Sequence, residues 1–433
     1  MYLRTIMDHK LLFTFIKTSS PVAYCVLSIG MGTRNEDPKY NGLAHLTEHM
    51  LFKGTPNRNS VEISNTLEKV GGDMNAFTTK ERIVLYTTTL KEDIKKAVAL
   101  VFEAAFSSSF PSDELKKEKV VVLDEIITYQ DSPTELLYDT FENELFAGTP
   151  LGYSILGEKK SLDIITSSTL KKYQSKFFIP HNMTLTVAGN FEEEKLAGMI
   201  NTELQKYYKK SQLQIVTMEN PAVSKEHIPL TSSEFIHTKY NCRSELSKGT
   251  LFNKTVDKKL RQAHCIIGCS AYSYYNTHKR TTLSLITNIL GGPALNSRLS
   301  MSLREKHALV YNVEASYIAY KDTGIFSIYF GCERKYLEKC IALIKKEIDK
   351  LVTTKMSTRA LSAAKKQMIG QISIASDNVE AQCLSKGKSM LLKGQLIPSD
   401  SLRQSIEEIT PEDVQEVAAQ VLDWKRLSRL IFV

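Results

Sequence analysis

The sequence predicts an α+β protein built as two similar halves. Strand-like and helix-like periodicities follow one another in the same order in each half. The pattern running from Ser112 and Leu115 to Leu145-Phe146-x-Gly148 recurs from Ser357 and Leu361 to Leu391-Leu392-x-Gly394, a shift of about 245 residues. A chain of 433 residues, 42% hydrophobic and 24% charged, has room for two domains with cores of their own.

Taken in order, residues 1–17 read as a strand pair leading into an apolar strand at 22–30. Residues 45–50 lie in a stretch with helical spacing. The 76–90 stretch alternates and is rich in Thr, Val and Tyr, as hairpin strands are. Amphipathic helices follow at 93–106 and 112–130, the second opened by Ser112 and Asp113 as cap. A further strand is expected at 183–189. Between 211 and 250 the pattern breaks into short polar pieces around Pro221, Pro229, Asn241 and Gly249, which reads as linker plus a peripheral excursion. The expected domains are therefore 1–210, a connecting 211–250, and 251–433. In the second half, Cys265-Ile266-Ile267-Gly268-Cys269 reads as a buried strand, and 341–351 as an amphipathic helix.

Composition excludes several classes. No run approaches 18 apolar residues, so no membrane span is expected. The N-terminus lacks the apolar core and cleavage site of a secretory signal. The net charge of +8 comes from lysines spread over amphipathic helices such as Lys345 and Lys346, not from a basic stripe interleaved with aromatics. Nucleic acid is therefore not an expected partner. Seven scattered cysteines form no framework, and Cys265 and Cys269 have only His264 nearby as a further ligand. They read as reduced thiols of a cytoplasmic protein.

The chemistry concentrates in His45-Leu46-Thr47-Glu48-His49. Imidazoles at i and i+4 share one helix face and can grip one metal ion. Zinc accepts neutral imidazole and in catalytic sites takes three protein ligands. Glu48, beside His49, is placed to take a proton from water. A third, acidic ligand is sought downstream, and Glu125 lies 76 residues after His49. Glu118, two helical turns before Glu125, shares its face and could orient a ligand histidine. Lys116, Lys117, Lys119 and Asp124 crowd the same helix, so a solvated charged face is the other reading. The residue types leave both open.

The stretch Gly42-Leu43-Ala44-His45-Leu46-Thr47-Glu48-His49-Met50-Leu51-Phe52-Lys53-Gly54-Thr55 resembles the zinc helix of the pitrilysin-type metallopeptidases. Within them it is most similar to the mitochondrial and bacterial processing peptidases. The interval from His49 to Glu125 equals the family's spacing to its third ligand. The resemblance continues through Gly71-Gly72-Asp73-Met74-Asn75-Ala76-Phe77-Thr78, Pro180-His181-Asn182-Met183-Thr184-Leu185, Ser297-Arg298-Leu299 and Leu303-Arg304-Glu305-Lys306, nearly the whole chain.

The resemblance implies two α+β halves, each a mostly antiparallel sheet covered by helices. It implies one Zn²⁺ per chain, held by His45, His49 and Glu125, with Glu118 orienting a histidine and Glu48 as general base. In the repeat, Glu125 falls opposite Gly370, Glu118 opposite Ala363 and the motif helix opposite 283–290, so the second half carries no metal site. The resemblance also implies that the strand bearing Asn75, Ala76 and Phe77 pairs with an extended peptide substrate. Asn75 alone would read as a strand-entry turn residue. Arg304 and Tyr311 alone would read as an ion pair and a core residue, whereas the resemblance assigns them to substrate or oxyanion binding. His181, His264 and His307 have no ligand-spaced partner and read as surface or satisfied core histidines. The expected protein is thus a zinc endopeptidase for peptides or unfolded segments, acting as a homodimer around a closed chamber. The alternatives are a catalytically silent assembly subunit of the same fold and one subunit of a heteromeric peptidase.

Overall fold

The computed structural model describes residues 10–209, 212–215 and 249–433. Most of 211–250, read from sequence as a linker, lies outside the described residues, as does 1–9. The described chain forms two units, one of 10–127, 153–209, 212–215 and 375–398, the other of 128–152, 249–374 and 399–433.

The first unit is built on a six-stranded sheet of β1 (Lys10–Lys17), β2 (Val22–Ile29), β3 (Asp73–Thr78), β4 (Ile83–Leu90), β5 (Met183–Gly189) and β6 (Gln212–Ile215). Its order is β3-β4-β2-β5-β1-β6. The β3–β4, β4–β2 and β2–β5 pairs are antiparallel, and β5–β1 and β1–β6 are parallel. The second unit has β7 (Asn253–Val256), β8 (Gln262–Ala271), β9 (Val310–Ala319), β10 (Gly324–Glu333) and β11 (Ser428–Phe432) in the order β7-β11-β8-β10-β9. Read inward from the hairpin edge, β3-β4-β2-β5-β1 and β9-β10-β8-β11-β7 are the same arrangement, so the sequence repeat is a repeat of topology.

Residues 10–17 make one strand that pairs with β5 and β6, and the rest of the 1–17 stretch, read as a strand pair, lies outside the described residues. Every residue of β5 is buried, and this strand takes the central position between β1 and β2. The 76–90 stretch is a hairpin, β3 and β4, closed by a turn in which Thr79 N–H donates to Arg82 O at 2.8 Å.

Strand periodicity explains the cores. Along β2, Cys25, Leu27 and Ile29 join the main core beneath the helix Ile94–Ser107, while Val26 faces the opposite side. That opposite side, with Val84 and Ala188, meets Cys383 of the helix Val379–Lys393. The approach is close: a Cβ on Gly387 would lie 2.9 Å from Ser28 Oγ, and Gly387 O accepts from Thr184 Oγ1 at 3.1 Å. The second unit repeats the plan. Cys265, Ile267 and Cys269 of β8 face one core, and Ile266 faces Leu137, Phe141 and Leu145 of the helix Pro133–Leu145. A sheet apolar on both faces must be covered twice. In each unit the second cover comes from the other half of the sequence.

Among the described residues six cysteines are buried and unpaired, and no helix is long and apolar enough to cross a membrane.

Candidate metal centre

The motif helix, Leu43–Met50, is short and is fixed at both ends of its apolar stripe. Leu43, Ala44, Leu46 and Met50 enter the main core. Its start at Gly42 has φ +89°, a left-handed backbone that suits glycine. The buried Glu36 carboxylate accepts from Gly42 N–H at 2.9 Å, Ala44 N–H at 2.6 Å and Asn41 Nδ2 at 3.1 Å. A carboxylate thus meets two of the helix's otherwise unpaired N–H groups and its positive dipole end.

With the apolar stripe buried, His45 and His49 lie together on the opposite side, their ring centroids 4.6 Å apart. Facing them is the helix Ser112–Asp131, with Glu125 two turns beyond Glu118. Glu125 Oε2 is 3.6 Å from Nε2 of His45 and 3.6 Å from Nε2 of His49. These separations are too long for direct hydrogen bonds. They suit ligand atoms sharing one tetrahedral zinc, which at ordinary Zn–N and Zn–O lengths stand about 3.4 Å apart. Among the described residues, His45, His49 and Glu125 are the group of three metal-ligating side chains whose donor atoms converge, all within 4.8 Å of one another. The donor set, two imidazoles and a carboxylate, leaves a coordination position open and fits zinc.

Glu118 reaches the motif helix. Its Oε2 is 3.1 Å from His49 Nδ1 and its Oε1 accepts from Lys53 Nζ at 2.8 Å. A carboxylate held by Lys53 accepts at Nδ1, so Nδ1 of His49 carries the proton and Nε2 keeps its lone pair toward the centre. Nδ1 of His45 is buried with no hydrogen-bond partner among the described residues.

Electrostatics divide the pair. Burial, with neighbouring His49 adding, pulls His45 down to about 4, so its ring is neutral and ready to ligate. Burial would also lower His49, but Glu125 and Glu118 outweigh it and raise it. Contact with His49 lowers Glu125. Burial raises Glu48, opposed by a hydrogen bond from Thr78 and by His49.

The other expected residues are placed as follows. β3 is an edge strand, with β4 its sole strand partner among the described residues. On it Asn75 is exposed and donates from Nδ2 to Asp73 Oδ2 at 2.9 Å, Ala76 packs toward the main core, and Phe77 lies against Tyr86 and Arg82. Arg304 and Tyr311 belong to the second unit, where the Arg304 guanidinium lies 5.8 Å from the Tyr311 ring centroid. Tyr311 is 88% exposed, not core. His264 bonds Tyr329 at 2.9 Å and His307 bonds Ser302 O at 2.7 Å, as satisfied histidines do. His181 is buried.

Three residues with clear roles here escape the motif reading. Lys53 lies four residues after His49, a spacing that could have placed it beside Glu118. Thr78 shares strand parity with Ala76 and so faces the motif helix. Glu36 has no local signal, because its donors are brought to it by a loop.

Comparison with known proteins gives matches over both halves of the chain. The family described as Insulinase (Peptidase family M16) matches residues 13–159, and the Peptidase M16 inactive domain matches 165–368. The chain is 28% identical over 396 residues to "Uncharacterized zinc protease YmxG" of Bacillus subtilis, covering 91% of this chain and 88% of the relative. It is 29% identical over 401 residues to an "Uncharacterized zinc protease" of Rickettsia bellii, covering 93% and 90%. In fold it is similar to the peptidase M16 inactive domain from Pseudomonas fluorescens, with TM-score 0.80, 18% identity and 96% and 94% of the two chains covered. A protease from Helicobacter pylori gives TM-score 0.79 at 18% identity, with 96% of each chain covered. The repeat, the two-histidine, one-glutamate centre and these matches over both halves carry one conclusion: the chain belongs to the insulinase-type zinc peptidases of family M16.

Proposed function

We propose that this protein is a zinc-dependent endopeptidase that hydrolyses peptides or unfolded segments held as an extended strand, with Glu48 as general base. The observation that carries the reading is the convergence of His45, His49 and Glu125 with Glu48 on the same helix and an edge strand beside it. Zinc, when bound, supplies a Lewis acid that acidifies water and polarises the scissile carbonyl. Every other part falls to the chain. Glu48 takes a proton from the attacking water as oxygen bonds to the carbonyl carbon, then passes it to the amine nitrogen as the C–N bond breaks. Glu118 and Lys53 hold the His49 ring in orientation. β3, through Asn75, Ala76 and Phe77, offers unpaired backbone to an extended substrate.

Arg304 and Tyr311 are assigned to substrate or oxyanion binding, the role the family resemblance implies. Their mutual contact and the exposed phenol support that assignment. The resemblance also supports a closed homodimer, in which the pair serves the centre of the opposite subunit. Buried, unpaired thiols support a reducing compartment such as the cytoplasm. A silent assembly role is disfavoured, because His45, Glu48, His49 and Glu125 are all present.

The test is a Glu48→Gln variant assayed on a peptide library beside wild type. It should retain zinc by bound-metal analysis and lose hydrolysis by on the order of a hundred- to ten-thousand-fold. Near-wild-type turnover would remove Glu48 from the base's role. Short, unstructured peptides should be cleaved in preference to compact folded proteins, and the reverse preference would count against strand capture on β3.

A further inference from the structure

We propose that Thr78 is the positioning residue for Glu48, tying the base to the strand on which substrate is seated; the proposal rests on the reading of Glu48 as base. Thr78 is the last residue of β3, and its Oγ1 donates to Glu48 Oε2 at 2.6 Å. A hydroxyl donating to a carboxylate at this distance is a charge-assisted bond. It occupies one carboxylate oxygen and leaves the other to accept the proton of water.

The strand geometry makes this bond specific. Side chains alternate along β3, so Met74 and Ala76 pack toward the main core and Thr78 continues the same face toward the motif helix. Threonine is β-branched and stiff at χ1, which holds the hydroxyl in one direction. The hairpin fixes its backbone: Thr78 pairs in register with Ile83, and the next residue closes the turn to Arg82. Glu48 is thus anchored to β3 as well as to its own helix. Since β3 is an edge strand, a substrate strand that pairs with it stiffens the segment from which Glu48 is held.

Two variants of the full, zinc-loaded protein test this, read with an internally quenched unstructured peptide. Thr78→Val keeps the shape and the strand preference and removes the hydroxyl. It should retain zinc by bound-metal analysis, keep peptide affinity by direct titration, and lose about ten- to a hundredfold in kcat with KM unchanged. Thr78→Ser restores the hydroxyl and should recover kcat to within about threefold of wild type, the remainder reflecting the lost χ1 stiffness. Should Thr78→Val fail to fold, Thr78→Ala carries the same comparison with Thr78→Ser. Wild-type kcat in Thr78→Val, an equal loss in Thr78→Ser, or a loss of kcat that tracks loss of zinc would each overturn the assignment. The Glu48→Gln variant on the same peptide separates the two ideas. An inactive Glu48→Gln with a fully active Thr78→Val sinks only the role of Thr78, whereas an active Glu48→Gln sinks the base itself. Adding Thr78→Val to Glu48→Gln should cost nothing further, because the two act as one unit.

Discussion

Glu125 offers one oxygen, equidistant from both imidazoles, so removing its charge attacks the centre without touching the helix that carries the histidines. Glu125→Gln should weaken zinc retention markedly by bound-metal analysis during dialysis against a chelator. Full retention would transfer the third ligand's role, with Glu118 the first suspect. Lys53 acts one step further out. Its ammonium holds Glu118, which holds His49, so Lys53→Met should lower zinc affinity by roughly ten- to a hundredfold, the range typical when an outer partner of a metal ligand is lost. A competition titration with a chromophoric chelator reads this, and unchanged affinity would make the lysine an ordinary surface cation.

At the scale of the element, the motif helix is too short to be stable by propensity and relies on its surroundings. Its buried apolar stripe and the cap by Glu36 both contribute to that support. Glu36→Ala leaves Gly42 N–H, Ala44 N–H and Asn41 Nδ2 without this acceptor, at a cost of about 1–3 kcal/mol in global stability. Urea unfolding of the zinc-free protein reads that loss without interference from metal binding. A midpoint equal to wild type would show that the cap is dispensable. The i, i+4 histidines and the Glu118–Glu125 spacing were each legible as one face of a helix. Glu36 was not, because the loop joining it to Gly42, and not a periodicity, sets its position.

In the whole molecule, the two exchanged segments decide how the chain can be divided. The segment 1–210 expressed alone lacks the helix Val379–Lys393, which covers Val26, Val84 and Ala188 on one face of its sheet. It should bind the apolar dye ANS and aggregate, and co-expression with 211–433 should restore a zinc-binding complex. A soluble, monomeric 1–210 with native-like thermal unfolding would contradict this. The proposed homodimer is tested by mixing Glu48→Gln with Arg304→Ala, each nearly inactive alone. If each site is completed by the opposite subunit, random exchange yields one intact site in every mixed dimer, about a quarter of wild-type activity overall. No recovery, with exchange verified by tagged subunits, would sink assembly in trans.

The sequence by itself marked the paired histidines and the repeat, and its resemblance to a known family added Glu125 as the expected third ligand. His45 and His49 are one helical turn apart, Glu118 and Glu125 two turns apart, and the strand pattern of each half survives in a sheet order shared over five strands. It also marked the second half as blank, with 283–290 and Gly370 in place of ligands. Only the tertiary structure decided which distant groups meet: Lys53 with Glu118, Thr78 with Glu48, Glu36 with Gly42 and Ala44, and the exchange of the helices Pro133–Leu145 and Val379–Lys393. The physical reason is that periodicity tells a residue which face it occupies and nothing about what covers that face. A strand apolar on both sides requires two partners, and the choice of the second is made by packing across hundreds of residues.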